Sequence, residues 1–290
     1  MKERAAAIGT FDGVHLGHAE VLATLRNTAE KRGAEPVAFT FDRHPLALIA
    51  PERAPKAITT IPKKESLLNQ AGVRPVVIPF DEKLRETTAG EWMSLLKHQY
   101  GVTLLVVGYD NTFGSDGVNL SIADYRRIGA DLGMEIIEAP LVEGVSSSAV
   151  RKAIAAGDIT AANGMLGRHF LLPGTVVHGN QLGRTIGFPT ANILPEPWIV
   201  VPGRGVYAAK VLLPNGKKMP AMVNIGVRPT IRRGNEQTVE AHIIGWDGDL
   251  YGKEISLIFF ERLRDERQFN SIDSLRRQLD ADKKAALSAL

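Results

Sequence analysis

The chain has 290 residues, 44% of them hydrophobic and 23% charged, with a formal net charge of +3 and no cysteine. That length holds two ordinary domains of a globular protein, and the missing thiols exclude disulfides, thiolate zinc sites, iron–sulfur clusters and a cysteine nucleophile, so any metal must take oxygen or imidazole ligands. No long uncharged apolar run and no signal-peptide pattern is present, which makes the cytoplasm the expected compartment with no membrane partner. The small positive excess suits an anionic small ligand; aromatic residues are only 6% and basic residues form no runs, so no nucleic-acid partner is expected.

In chain order, apolar runs at 5–9, 36–40, 75–79, 103–108 and 134–137 read as buried strands. Helices separate them. One starts near Gly17, carries Val21, Leu22, Leu25 and Ala29 on one face, and is closed by Gly33. A second opens at Thr88-x-x-Glu91, a capping-box pattern, and should bury Trp92 and Met93. A third runs from Ser121 to about Gly133. Strand–helix alternation of this kind predicts an α/β domain, a parallel sheet with helices on both faces. A short helix over 148–156 follows, and near 163–168 the pattern changes. Runs at 174–179, 206–213, 219–225, 238–245 and 254–260 read as strands, and Pro214-Asn215-Gly216 marks a tight turn between two of them. This half predicts a small antiparallel β-barrel closed by a helix over 271–290, with Arg262, Arg264, Arg267, Arg276 and Arg277 as solvated charges. The expected domains are 1–165 and 166–290.

The first strand leads into Gly9-Thr10-Phe11-Asp12-Gly13-Val14-His15-Leu16-Gly17-His18 and then a helix. A glycine-rich turn at a helix N-terminus gathers backbone N–H groups where phosphates bind. The glycine spacing is not that of a dinucleotide fingerprint, and the chain has no Gly-Lys-Ser/Thr of a P-loop. His15 and His18 lie one helical turn apart and project to the same side. They can donate to phosphate oxygens and stabilise charge built up when a nucleophile attacks the α-phosphorus of ATP. The other readings are a zinc pair, for which the sequence places no third ligand, and incidental surface histidines. Later, Ser146-Ser147-Ser148-Ala149-Val150-Arg151 opens the short helix: serine hydroxyls and an arginine that can hold phosphates, or an ordinary helix cap.

In the second half, Gly183-Arg184-Thr185-Ile186-Gly187-Phe188-Pro189-Thr190-Ala191-Asn192 sets small residues and an arginine before a proline-fixed turn. Threonine and asparagine oxygens are hard ligands that suit Mg²⁺ on ATP phosphates. The same residues also fit a hairpin loop whose Thr190 and Asn192 bond their own backbone.

These motifs resemble a known family. The turn with His15-x-x-His18, and Ser146-Ser147-Ser148-x-x-Arg151, are similar to the two signatures of the nucleotidyltransferase superfamily. The longer string Gly9–His18, with Thr40-Phe41-Asp42-Arg43-His44-Pro45 and the segment from Val107 to Gly114, resembles the adenylyltransferase module of prokaryotic bifunctional FAD synthetases. Arg43 stands where a proline is usual in that family. Gly187-Phe188-Pro189-Thr190-Ala191-Asn192, Asn224-Ile225-Gly226, Val239-Glu240-Ala241-His242 and Leu263-Arg264-Asp265-Glu266 resemble its riboflavin kinase module. The resemblance implies a Rossmann-like nucleotidyltransferase domain followed by the barrel. It implies phosphorylation of riboflavin to FMN and adenylylation of FMN to FAD, both with ATP and Mg²⁺. It places nucleotide contacts at Gly9, Phe11, Asp12, Gly13, Gly17, Asp110, Ser146, Ser147, Ser148 and Arg151 in the first module and at Gly183, Arg184, Gly187 and Pro189 in the second. It makes His15 and His18 catalytic, gives the metal to Thr190 and Asn192, and makes Glu240 the general base. By its residues alone Glu240 reads more commonly as a solvent-facing strand glutamate.

Overall fold

The computed structural model describes residues 3–109, 112–179, 182–230 and 234–290. The chain divides into two compact units, Met1–Ser147 and Ser148–Leu290.

The first unit is built on five strands, β1 (Arg4–Ile8), β2 (Glu35–Phe41), β3 (Arg74–Ile78), β4 (Val102–Val107) and β5 (Glu135–Glu138). They pair in the order β3-β2-β1-β4-β5, and every pairing is parallel. Helices connect them: α1 (Leu16–Arg32), α2 (Leu46–Ile49), α3 (Ile61–Gln70), α4 (Glu82–Glu86), α5 (Ala89–Tyr100) and α6 (Ile122–Asp131). Successive residues of a strand face opposite sides of its sheet. Ala5 and Ala7 therefore join one core with Leu22, Leu25 and Leu68 of α1 and α3, while Ala6 and Ile8 join another with Trp92, Met93, Leu96 and Tyr125 of α5 and α6. Winding reverses between β1 and β4, and in such sheets ligands bind in the crevice beyond the carboxyl ends of the strands at that point. The expected capping box at Thr88 and Glu91 is formed, and Gly33 closes α1 in the left-handed conformation.

The second unit starts with two helices, α7 (Ser147–Ala156) and α8 (Ile159–Leu166), which the expected join at 165/166 had placed in the first domain. Beyond Ser147, the last residue of the first unit, these helices bond to the barrel side: Gly203 N donates to Ile154 O at 3.0 Å, and the Asn163 amide donates to Phe259 O and Phe260 O and accepts from Phe170 N. Then come β6 (Phe170–Val177), α9 (Leu182–Thr185), β7 (Ala191–Pro195), β8 (Gly205–Leu212), β9 (Lys218–Thr230), β10 (Gly234–Ile243), β11 (Glu254–Arg264) and α10 (Ile272–Ser288). The strands close into an antiparallel barrel, β10-β7-β6-β11-β8-β9. The sequence pattern did not reveal β7, because Pro189 and polar Thr190 and Asn192 interrupt any alternation there. The turn at Pro214–Gly216 joins β8 to β9 as expected, with Gly216 N bonded to Leu213 O at 2.9 Å.

Arg264 departs from its reading as a solvated charge. It forks onto Asp282 of α10 at 2.7–3.0 Å, and Asp282 is only 3% exposed. Gln278 also donates to this carboxylate, at 2.6 Å. The pair fixes α10 against the barrel beside the apolar contact of Met222 and Ala286 with Leu279. Removing one partner of a buried ion pair strands the other. Asp282→Ala should therefore destabilise the second unit by about 3–5 kcal/mol, measured as a lower denaturant midpoint, whereas Asp280→Ala on the exposed face should leave it within about 0.5 kcal/mol.

Candidate active sites

The first site forms at the carboxyl end of β1. The ladder to β2 ends with Gly9 N bonded to Phe39 O at 3.1 Å. Beyond it the backbone turns through positive φ at Phe11 (45°), Gly13 (81°) and Val14 (39°). That region is open to glycine but strained for phenylalanine and more so for a β-branched valine. Buried tethers hold the strain. The Asp12 carboxylate accepts from Ile58 N at 2.9 Å and from Thr59 N at 3.2 Å. Gly13 N donates to Thr59 Oγ1, and Ser147 Oγ donates to Asp12 O at 2.9 Å. A Cβ on Gly13 would lie 2.9 Å from Ile58 Cδ1, so only glycine fits there.

The turn delivers His15 as the N-cap of α1, where Ser, Thr, Asp or Asn is usual. Its Nδ1 accepts from His18 N at 3.3 Å, so a neutral ring carries its proton on Nε2. The two imidazoles stack at 3.7 Å between centroids, and Phe11 meets His18 edge-on at 5.2 Å. Stacking, capping and the helix N-terminus thus bring His15 and His18 together as the sequence predicted. Asp12 is different: its side chain points into the protein and bonds the 58–59 backbone.

Lys64 of α3 is 5% exposed. Its Nζ donates to Thr10 O at 3.1 Å, Thr40 Oγ1 at 2.9 Å and Phe41 O at 2.9 Å. Thr40 Oγ1 itself donates to Thr10 O at 3.0 Å. Burial pushes the Lys64 ammonium down to about 8, against a smaller opposing pull from Asp12.

Beside this turn lies a cavity of about 630 Å³ whose wall includes Gly9, Thr10, Phe41, Phe80, Trp92 and Phe113. Phe41 and Phe80 pack edge to face at 5.3 Å. The loop carrying Phe113 is fixed by Tyr125, whose hydroxyl accepts from Phe113 N and donates to Phe113 O, both at 2.9 Å. Trp92 is therefore core, as predicted, and also cavity wall. Asp110 lies outside the described residues. Ser146 and Ser147 belong to the first unit; Ser148 and Arg151, on α7, belong to the second.

The second site is built on β10. Glu240 pairs across to Asn192 of β7 on one side and Asn224 of β9 on the other. Side chains directly opposite on neighbouring strands share a face, so the three polar groups form one row. The alternate residues Val239 and Ala241 are buried on the other face. A cavity of about 260 Å³ on the Glu240 side is lined by Thr190, Asn224, Glu240, His242, Arg264 and residues of α10. Another of about 510 Å³ takes Ala241, Ile243, Trp246, Leu250 and Tyr251. Thr190, at the start of β7, lines both. His242 fixes the turn before it: its ring Nδ1 lies 2.8 Å from Pro189 O and, facing a carbonyl, carries the proton. Burial lowers the pKa of His242, which keeps it neutral. Gly179 makes room for Asn192, whose amide nitrogen would lie 2.1 Å from a Cβ there. Gly183 folds the preceding loop through Phe188 N→O at 2.8 Å, and Gly187 and Pro189 are exposed. The Arg184 side chain lies outside the described residues. Asn224, His242 and Lys64 were not among the predicted site residues. Asn224 stands in a segment that carries the family resemblance, a signal that marks it; Lys64 sits in a Lys63-Lys64-Glu65 run whose pattern is that of solvated charge.

Among the described residues no group of three or more His, Asp or Glu side chains is placed to hold a metal, and no helix is long and apolar enough to cross a membrane.

Comparison with known proteins gives the class first. The family model for FAD synthetase matches residues 1–151, and that for riboflavin kinase matches 166–290. The bifunctional riboflavin kinase/FMN adenylyltransferase of Escherichia coli K12 is 38% identical over 96% of this chain and 90% of its own. The Bacillus subtilis protein of that description is 33% identical over 97% and 90%. A solved Streptococcus pneumoniae structure, described as a macrolide-efflux protein, superposes with a TM-score of 0.89 at 30% identity over 99% of this chain and 94% of its own. The chain belongs to the bifunctional riboflavin kinase/FMN adenylyltransferase family.

The buried ammonium of Lys64 gives stability a pH dependence. Below about pH 8 Lys64 is charged in the folded and the unfolded chain alike; between about 8 and 10.5 the unfolded chain holds a proton that the folded chain has released. Folding is then favoured by rising pH. Relative to Lys64→Met, the wild-type first unit should gain stability on the order of 3 kcal/mol across that window, measured by denaturant titration at pH 7.5 and 10.5.

Proposed function

We propose that the two chemistries of the family are divided between the units: riboflavin and ATP give FMN and ADP at the Glu240 row, and FMN and ATP give FAD and pyrophosphate at the His15–His18 turn. We take 1–165 and 166–290 as the functional division, with α7 and α8 assigned to the first function although they pack with the barrel. The observation that carries the reading is that Thr190 lines two cavities on opposite faces of β10, one of them containing Glu240. A nucleotide in the larger cavity and a flavin in the smaller would meet at Thr190, where the phosphoryl group passes. Glu240 accepts the proton of the ribityl hydroxyl as it attacks the γ-phosphorus. Thr190 and Asn192 offer hard oxygens and would hold Mg²⁺ together with ATP phosphates, which suits a site where, among the described residues, no group of three acids or histidines is placed to hold a metal. The ion, when bound, neutralises phosphate charge.

In the first unit the flavin ring of FMN occupies the aromatic cavity, stacked among Phe41, Phe80 and Phe113. Backbone amides of Gly9–Gly17 and the α1 N-terminus hold the ATP phosphates. His15 Nε2–H and the His18 imidazole donate to oxygens on the α-phosphorus and the leaving pyrophosphate. Ser146, Ser147, Ser148 and Arg151 are assigned to the nucleotide by their family motif, as are Asp110, Arg184 and the glycines of the second loop. We infer that the enzyme works in the cytoplasm, because both steps consume ATP.

The test is incubation with riboflavin, ATP and Mg²⁺ and separation of FMN from FAD over time. His18→Ala should lower FAD formation about 100- to 1000-fold and leave FMN formation intact. Glu240→Ala should abolish phosphorylation yet still convert supplied FMN to FAD; full phosphorylation by that variant would remove Glu240 as the base.

A further inference from the structure

We propose that Lys64 is a positioning residue for adenylyl transfer: its ammonium spans the diverging ends of β1 and β2 and sets the depth of the glycine-rich turn that receives the nucleotide. This rests on the assignment of adenylyl transfer to the His15–His18 turn.

The geometry is specific. Up to Gly9 the two strands are joined by backbone bonds, the last being Gly9 N to Phe39 O. One residue later the chain leaves β2, and no ladder bond reaches Thr10. Its carbonyl instead receives the Thr40 hydroxyl and the Lys64 ammonium, and the same ammonium reaches Phe41 O at the end of β2. All three ammonium hydrogens are used, because Thr40 Oγ1 takes the third. The result is a closed circuit of one cation, one hydroxyl and two carbonyls at the floor of the site. Thr10 and Phe41, the two backbone ends it ties, both line the aromatic cavity, and Thr10 precedes the strained Phe11. Displacing Thr10 therefore moves the turn and the cavity floor together.

A structural filler would not need this chemistry. Burying an ammonium is costly, and its place could be taken by an apolar side chain if the strand ends simply paired. The charge is retained where the strands must part, which is where the turn needs room for phosphates. No carboxylate lies within ion-pair distance of Lys64 among the described salt bridges; Asp12, Asp42 and Glu65 act on it only through space.

Misplacing reacting groups by about 1 Å can cost about 100-fold in rate. Lys64→Met is expected to lower kcat/KM for ATP in FMN adenylylation about 10- to 100-fold, with riboflavin phosphorylation by the same preparation unchanged. Because the chain has no cysteine, Lys64→Cys supplies a unique thiol. Alkylated with 2-bromoethylamine in denaturant and refolded, it becomes thialysine, which restores an ammonium at nearly the same reach. Recovery of adenylylation on alkylation, but not on alkylation with the uncharged iodoacetamide, is expected. Unchanged adenylylation by Lys64→Met would overturn the proposal, and so would equal rescue by both reagents. Phosphorylation in each sample reports a folded second unit, and with that unit intact, unchanged helical circular dichroism of the whole chain reports that the first unit keeps its helices. A wild-type enzyme that fails to adenylylate FMN would overturn the underlying assignment instead.

Discussion

A parallel sheet cannot continue its strands outward without leaving backbone groups to be satisfied, and at the end of β1 this chain meets that constraint with two buried polar side chains. Asp12 takes the amides of Ile58 and Thr59, and Lys64 takes the carbonyls of Thr10 and Phe41. One works on donors and the other on acceptors, so between them the turn keeps both kinds of backbone group bonded while Phe11 and Val14 hold positive φ. The imidazole pair follows from this. His15 caps α1 only because the turn brings it to the helix end, and His18 stacks on it only because its own backbone N–H is the one being capped.

The barrel solves a different problem with strand alternation. β10 has Val239 and Ala241 on one face and Glu240 and His242 on the other, so a single strand supplies an apolar wall to one cavity and polar groups to a second. Asn192 and Asn224 flank Glu240 because register sets them opposite it. His242, two residues on, lies on the same face and reaches the Pro189 carbonyl, which makes the turn before Thr190 depend on β10. The Arg264–Asp282 fork then closes the polar face with α10.

Much of this was legible in the residues, and the exceptions have physical causes. Alternation of strands and helices predicted the parallel sheet, and Gly33, Thr88 and Glu91 predicted helix ends, because those signals are local. The His15–His18 pair was legible because both partners sit on one helical turn. Lys64 was not: its acceptors lie 23 to 54 residues away, and nothing local separates it from Lys63. Arg264 was read as solvated because Asp282 lies a helix away. The row Asn192–Glu240–Asn224 depends on strand register, which a single sequence does not display. The compact units divide at 147/148, before the 165/166 join that the pattern suggests, because α7 and α8, though continuous with the first pattern, bond to the barrel side through Asn163 and Ile154.

The two proposed acceptors explain why the sites differ in kind. The ribityl 5′-hydroxyl is neutral and must lose a proton as it attacks, so its site needs an acceptor, the role proposed for Glu240 in the polar row between Asn192 and Asn224. The phosphate of FMN is already an anion. It needs no base; what limits it is repulsion from the triphosphate it approaches, and a carboxylate there would add to that repulsion. In keeping with this, the one acid of the Gly9–His18 turn, Asp12, is turned inward onto backbone amides, and the groups set at the helix start are imidazoles and N–H donors. On the proposed assignment the same nucleotide would meet a proton acceptor in one unit and a donor array in the other, and the protonation state of the flavin oxygen that attacks it would account for the difference.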